Sequence, residues 1–466
     1  MRTELRLALE VVAAAWILTG AAGVRAQEGP YSNFLVGQRS LGFAGAYVAV
    51  ADAPETIFHN PAGMADLRTT GASGSLWSLV RRSRVIEQGY RSELGASDLA
   101  FSPSLSLPLF LAGVVKFGRR DEDRVRRHAL GVALLSPHTD QYRFVAQLRS
   151  DSAVDRIEVR HHDRARWYGL AYAYRLSPAL SMGLSTFASL RSLEHDEVQI
   201  HADEGLPGDM AGAGAHSTST TLDAQADHII PRLGLHYDVS DEFSLGLMFQ
   251  PPGVEFHQSV RAERLDTLSD AAGVSIDVAE GPREGVNLPV PWELRMGLNW
   301  VQQATTLLSL DVSVVGPVGG SGDVKPLVQG GGDELGLFVP RQTYREMALR
   351  MALGFETVPH PVFPIRGGVF FEGSSAPDVP DRSNIYLRDR LDSFGAAFSV
   401  GIRSGGYDLS VGATALLNHG AGLALVQNNG DSSYRVTDVS DTVLVLFIGG
   451  ARGAMKRLVK TLKPEG

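Results

Sequence analysis

An all-β fold, a transmembrane antiparallel barrel of about fourteen strands with an N-terminal hatch in its lumen, is what this sequence predicts. Three observations predict it. The chain opens with an export signal, its body alternates apolar and small or polar residues with period two, and short turns alternate with long polar connections.

Residues 1–26 read as a secretory signal peptide: a charged start, an apolar stretch from Val11 to Gly23, and the small-residue site Val24-Arg25-Ala26, with cleavage near Ala26. The stretch is short and Ala-rich for a bilayer span; an uncleaved anchor is the alternative. Beyond it no run of about 18 apolar residues occurs, so any further span must be built of strands.

Residues 27–71 break the strand rhythm. Gly37, Gly42 and Gly45 mix with Phe34, Phe43 and Phe58, too apolar for a disordered tail, which predicts a compact plug; a periplasmic linker is the alternative.

The barrel is expected over 72–450. Trp292, Leu294, Met296, Leu298 and Trp300 form one face, with Glu293, Arg295, Gly297 and Asn299 on the other. Met347 to Phe355 and Phe394 to Arg403 alternate in the same way, as do Leu180 to Ser185 and Leu308 to Val314. A soluble sandwich also alternates. Aromatics near strand ends (Trp167, Tyr168, Phe249, Trp292, Trp300, Tyr407) and the export signal favour a membrane barrel, apolar outside and small or polar inside. Short turns are expected at 175–179, 238–242, 301–305, 358–362 and 403–407, and long loops near 196–225, 253–287, 317–342, 375–389 and 419–431. A basic tail, 451–466, follows the last strand.

Composition narrows the function. With no cysteine there is no disulfide, thiolate metal site or Cys nucleophile, and a net charge of −9 argues against nucleic acid as a partner. No Gly-x-Ser-x-Gly elbow, phosphate loop or His-Glu-x-x-His helix is present, so neither an enzyme nor a cofactor is expected. His161-His162-Asp163 and His195-Asp196-Glu197 contain metal-ligand types, but adjacent strand residues point to opposite faces; both are read as solvated loop or strand-end groups, and no metal site is expected.

The stretch Arg39 to Met64 contains Gly42 to Ala46, then Ala51-Asp52-Ala53-Pro54, then Asn60-Pro61-Ala62-Gly63. It resembles the N-terminal hatch of the FadL/TodX outer-membrane transport family, with Ala53 where a second Asp is usual. Tyr237 to Pro252 looks like that family's central hairpin, and Glu372 to Arg382 like its late loop. The tail departs from the terminal aromatic that commonly serves recognition by the barrel-assembly machinery.

The resemblance implies a Gram-negative outer membrane, with membrane lipid and lipopolysaccharide as surroundings. It also implies passive uptake of long-chain fatty acids or aromatic hydrocarbons, captured in apolar loop grooves and released sideways through the barrel wall. A plugged barrel that binds a partner or serves assembly is the alternative. Hatch residues are then Gly42, Gly45, Asn60, Pro61 and Ala62, although Asn60-Pro61 also reads as an ordinary turn. Ser136-Pro137 interrupts a strand and is the lateral-gate candidate, or else merely a strand end. Inward arginines Arg295, Arg350 and Arg403 are candidates for a ligand carboxylate, or else pair with inward acids such as Glu293 and Asp311.

Overall fold

The computed structural model describes residues 36–50, 52–100, 110–203, 213–302, 305–318, 344–384, 386–428 and 431–453. The expected signal peptide, residues 27–35 and the tail beyond 453 lie outside them. Among the described residues three short helices come first: α1 (Gln38–Gly42), α2 (Thr56–His59) and α3 (Gly63–Asp66). Eighteen strands follow. They are β1 (Gly71–Ser92), β2 (Gly95–Ala100), β3 (Phe110–Arg120), β4 (Arg126–Arg149), β5 (Ala153–Arg175) and β6 (Leu180–Asp203). Next come β7 (Gly214–Asp238), β8 (Phe243–Gln250), β9 (Val254–Asp270), β10 (Gly273–Glu280), β11 (Glu293–Gln302) and β12 (Thr306–Val315). The last are β13 (Ala348–His360), β14 (Phe363–Glu372), β15 (Arg382–Ser383), β16 (Arg390–Ser404), β17 (Tyr407–Asn428) and β18 (Asp431–Arg452).

Antiparallel ladders join β1, β3, β4, β5, β6, β7 and β8 in turn. From β8 they pass through β11, β12, β13, β14, β16 and β17 to β18. β18 then pairs with β1 from Arg452↔Ala72 to Val439↔Ile86 and closes the ring. Fourteen strands go round, and β2 continues the wall by pairing β1 above β3. β9 pairs antiparallel with β7 beyond β8, β10 hangs on β9, and β15 makes a two-residue bridge to β18. Closure leaves the ring itself no unpaired edge, which a strand-built membrane span requires.

The period-two pattern sets the faces. Leu170, Leu233, Phe394 and Leu409 point outward and are more than half exposed, while their neighbours in sequence are buried or line the lumen. Glu293, Arg295, Gly297 and Asn299 all face inward, as the alternation required. Trp167 is a correction: expected at the membrane rim, it is 5% exposed and faces the lumen, while Tyr168 points out. A run of two aromatics must place one on each side of a strand.

Three expected loops are also corrected. Residues 196–203 and 214–225 belong to β6 and β7, 254–270 and 273–280 form the hairpin β9–β10, and 419–428 and 431 belong to β17 and β18. Above the membrane neither face of a strand meets lipid, so extended structure persists without apolar alternation. Residues 319–342 lie outside the described residues.

Where the N-terminal segment sits follows from its contacts. Ser73 of β1 and Lys116 of β3 bond to Glu55 and to the Met64 carbonyl. Met64 meets Gly131 of β4, Phe58 meets Trp167 of β5, and Asp66 accepts from Ser181 of β6. Asn60 bonds to Leu235 of β7; Val48 and Ala49 press on Gly246 of β8 and Gly297 of β11; Asp311 of β12 accepts from Tyr47 N–H. Arg39 bonds to Glu356 of β13, Ala44 meets Gly368 of β14, and Gly42 meets Ser399 of β16. Gln38 touches Ser410 of β17 and Gly449 of β18. A segment in contact with every strand of a ring lies inside it.

Candidate transport path through the barrel

The inward face of β5 is a ruler along the lumen. From the loop side it reads Ile157 and Val159, then His161 and Asp163, then Ala165 and Trp167, and at the level of the N-terminal segment Ala171 and Ala173. The first level walls an outer cavity shared with Tyr142, Phe144, Leu425 and Tyr434. Below it lies a polar belt. Arg191 donates through Nε and Nη2 to Asp163 at 2.9 and 2.6 Å, and the His161 ring stacks on Tyr142 at 4.7 Å and meets His195 edge-on at 5.5 Å. These histidines are therefore buried mid-strand groups and not solvated ends, whereas His162 points out. Among the described residues no cluster of three or more His, Cys, Asp or Glu is placed to hold a metal.

Beneath the belt is an inner cavity. Phe58 and Trp167 form its apolar wall; Arg232, Arg295 and Arg350 stand against Glu293 and Glu372. Arg232 lies 4.1 Å over the Phe58 ring and donates to the Phe58 carbonyl at 2.6 Å. Arg295 Nε donates to Glu293 at 2.6 Å. Arg350 lies 5.2 Å over Phe370, and its buried Nη2 has no hydrogen-bond partner. Three guanidinium groups face two carboxylates, so the lining carries a cation in excess.

Two of the three expected arginines, Arg295 and Arg350, thus meet in one cavity. Arg403 does not: it faces inward but sits at the short-turn rim, paired with Asp408 at 2.9 Å and Glu356 at 3.5 Å. Alternation fixes the face a residue takes, not its height in the barrel. Arg232 was missed, although Leu233 and Leu235 on the opposite face already placed it inward.

The N-terminal segment forms the floor. Asn60 Nδ2 donates to the Val48 and Leu235 carbonyls, both at 2.9 Å, while Oδ1 accepts from Ala62 N–H at 3.2 Å. Pro61 and Ala62 lie so close to Gly183 and Gly234 that a Cβ at either glycine would collide with them. Gly45 has φ 85°, a left-handed conformation suited to glycine, and Gly42 packs against Arg366. Glu55, which the sequence reading passed over, accepts from the Arg39 and Ser40 N–H groups at the start of α1, both at 3.0 Å. Burial pushes its carboxyl up to about 7 against these favourable bonds. His59 bonds to the Val36 carbonyl at 2.7 Å and is lowered to about 3 by burial and by Arg295 and Arg232. Arg39 and Arg366 share the Glu356 carboxylate, at 2.9–3.0 Å and 2.6 Å, and tie the segment to the rim.

Ser136-Pro137 forms a bulge. Leu135 pairs with Trp167, but the next pair is His138 with Ala165, so β4 carries one residue more than β5. The described ladder from β3 also stops at Leu135, and Pro137 lines the inner cavity.

No protein-family profile matches the chain, and no curated protein matches it in sequence. Solved structures do resemble it. The monoaromatic hydrocarbon channel CymD aligns over 90% of this chain and 97% of its own, with TM-score 0.54 and 14% identity. A Pseudomonas aeruginosa FadL homologue aligns over 93% and 100%, with TM-score 0.56 and 11% identity. The Pseudomonas putida toluene transporter TodX aligns over 86% and 94%, with TM-score 0.53 and 13% identity. In fold, this chain is a barrel of the FadL/TodX type.

Proposed function

We propose that the protein is a passive outer-membrane transporter of hydrophobic small molecules, with long-chain fatty acids as the first substrate class. The observation that carries this is the lumen itself, an apolar outer cavity followed by an inner one with an excess cation. Burial of an apolar chain gains about 0.8 kcal/mol per CH₂, which draws a hydrophobe into such cavities, whereas a wet pore offers no such gain. Arg350, with Nη2 unpaired, is the proposed partner of a carboxylate, and Arg295 its neighbour. The N-terminal segment acts as the hatch that denies a straight passage. Release is sideways at the Ser136-Pro137 bulge, beside the inner cavity.

Aromatic hydrocarbons are the second reading, favoured by the Phe58–Trp167–Phe187 cluster with centroids 5.4–6.3 Å apart and by the neighbours described as hydrocarbon channels. The test is uptake of labelled oleate and labelled toluene by cells lacking their own transporter and displaying this chain. Saturable oleate uptake that falls in Arg350→Gln supports the first reading. Toluene uptake alone, indifferent to Arg350→Gln, supports the second. With neither, the transport proposal fails.

A further inference from the structure

The outer surface of β5 changes character abruptly. Tyr172, Leu170 and Tyr168 point into lipid at 42%, 69% and 46% exposure. The next outward positions are Arg166, Arg164, His162, Arg160, Glu158 and Arg156. Outward residues two apart on a strand are about 7 Å from each other, so these groups climb the wall in a file starting where the lipid band ends. On β4, Arg143 stands directly across from Arg160, an arrangement of like charges that disfavours itself without an anion between them. Glu158 supplies one, bonded to Arg143, Arg156 and Arg160 at 2.8, 3.2 and 3.0 Å. Among the described residues the side chains of Arg164 and Arg166 make no hydrogen bond or ion pair. The patch sets five arginines against Glu158, Glu194 and Asp196, on a chain whose net charge is −9.

Outward arginines, Arg166 exposed and Arg164 half-buried, continuous with a lipid-facing band meet the headgroups of the outer leaflet. We infer that Arg164 and Arg166, flanked by Arg143 and Arg160, bind the phosphates of a phosphorylated, multiply acylated glycolipid of that leaflet. The guanidinium fork matches phosphate oxygens two at a time, and the acyl chains lie along Tyr168, Leu170 and Leu190 below. Arg166 also lies opposite the Ser136-Pro137 bulge, since it falls between the pairs Leu135↔Trp167 and His138↔Ala165. The lipid is thus seated beside the wall defect. The inference rests on the outer-membrane placement proposed above but not on any transported substrate.

The test is native mass spectrometry of the full-length protein, exchanged into mild detergent, with bisphosphorylated lipid A, monophosphorylated lipid A and phosphatidylglycerol as probes. Bisphosphorylated lipid A is expected to be retained, with retention falling about tenfold in Arg164→Gln/Arg166→Gln, from two lost charge contacts. Arg164→Lys/Arg166→Lys, which keeps charge without the fork, should fall between. Arg120→Gln, at the exposed short-turn end of β3 and so at the opposite end of the wall, should change nothing. Folding of each variant is checked by heat-modifiable gel mobility, and the lysine pair serves if the glutamine pair does not fold. Retention unchanged in a folded double variant overturns the inference, as does equal retention of phosphatidylglycerol. Oleate uptake by the same variants reads the transport proposal separately.

Discussion

Asn60 shows how much one side chain does in the N-terminal segment. Its amide satisfies two buried carbonyls, one in its own segment and one in β7, and its oxygen holds the Ala62 N–H. Asn60→Ala strands these partners and is expected to cost about 1–3 kcal/mol in the seating of this segment. Protease nicking of the segment in the purified barrel, faster in the variant than in wild type, measures it. Glu55 makes a pH prediction. Its folded pKa of about 7 lies above the ordinary 4.5, so the folded state holds the proton more tightly. The stabilisation this gives is complete below about 4.5 and is lost as pH rises through 7. His59 works oppositely, its lowered pKa costing stability as pH falls below its ordinary 6.5. Nicking should therefore quicken from pH 6 to pH 8, and Glu55→Gln should flatten that rise; an unchanged rise in Glu55→Gln would remove Glu55 as its cause.

Single elements carry two further predictions. Gly183 lies in β6 where a Cβ would stand 2.5 Å from Ala62 N, a backbone atom that cannot swing aside. Gly183→Val should displace the N-terminal segment while the ring still forms; if that segment is the proposed hatch, cells become more sensitive to large antibiotics at unchanged barrel display. In β4 the extra residue of the bulge switches the buried positions from odd numbers below it to even numbers above it. Deleting Ser136 restores both faces to one register, so the wall is expected to close with the fold intact. If lateral release is right, oleate uptake is lost while binding remains; uptake at the wild-type rate would reject that exit. The strands were legible wherever one face meets lipid, as in β11 and β13. They were not legible in the outer ends of β6 and β7 or in β10, whose residues are mostly exposed or half-buried on both faces, and only weakly in β9, whose buried face is the short run Val260 and Ala262. There little hydrophobic contrast exists to write a period into the sequence.

Across the whole molecule, the arginines show the same limit. Arg295, Arg350 and Arg403 have equivalent alternation, yet only the first two share a cavity, because height depends on strand tilt and stagger around the entire ring. The floor was legible as a compact apolar segment with an Asn-Pro turn; its contact with all fourteen strands was not, since each contact joins residues far apart in sequence. That contact has a consequence for assembly. The seam pairs the first strand with the last, so the wall cannot close until the whole chain has been delivered. At Gly183, Gly234 and Gly246 the segment's backbone lies against the wall so closely that a Cβ would collide with it. The segment must already be in place when the seam zips, acting as a mandrel on which the circumference is gauged. A chain lacking residues 36–67 should therefore lose its fixed girth, closing late or with the wrong number of staves.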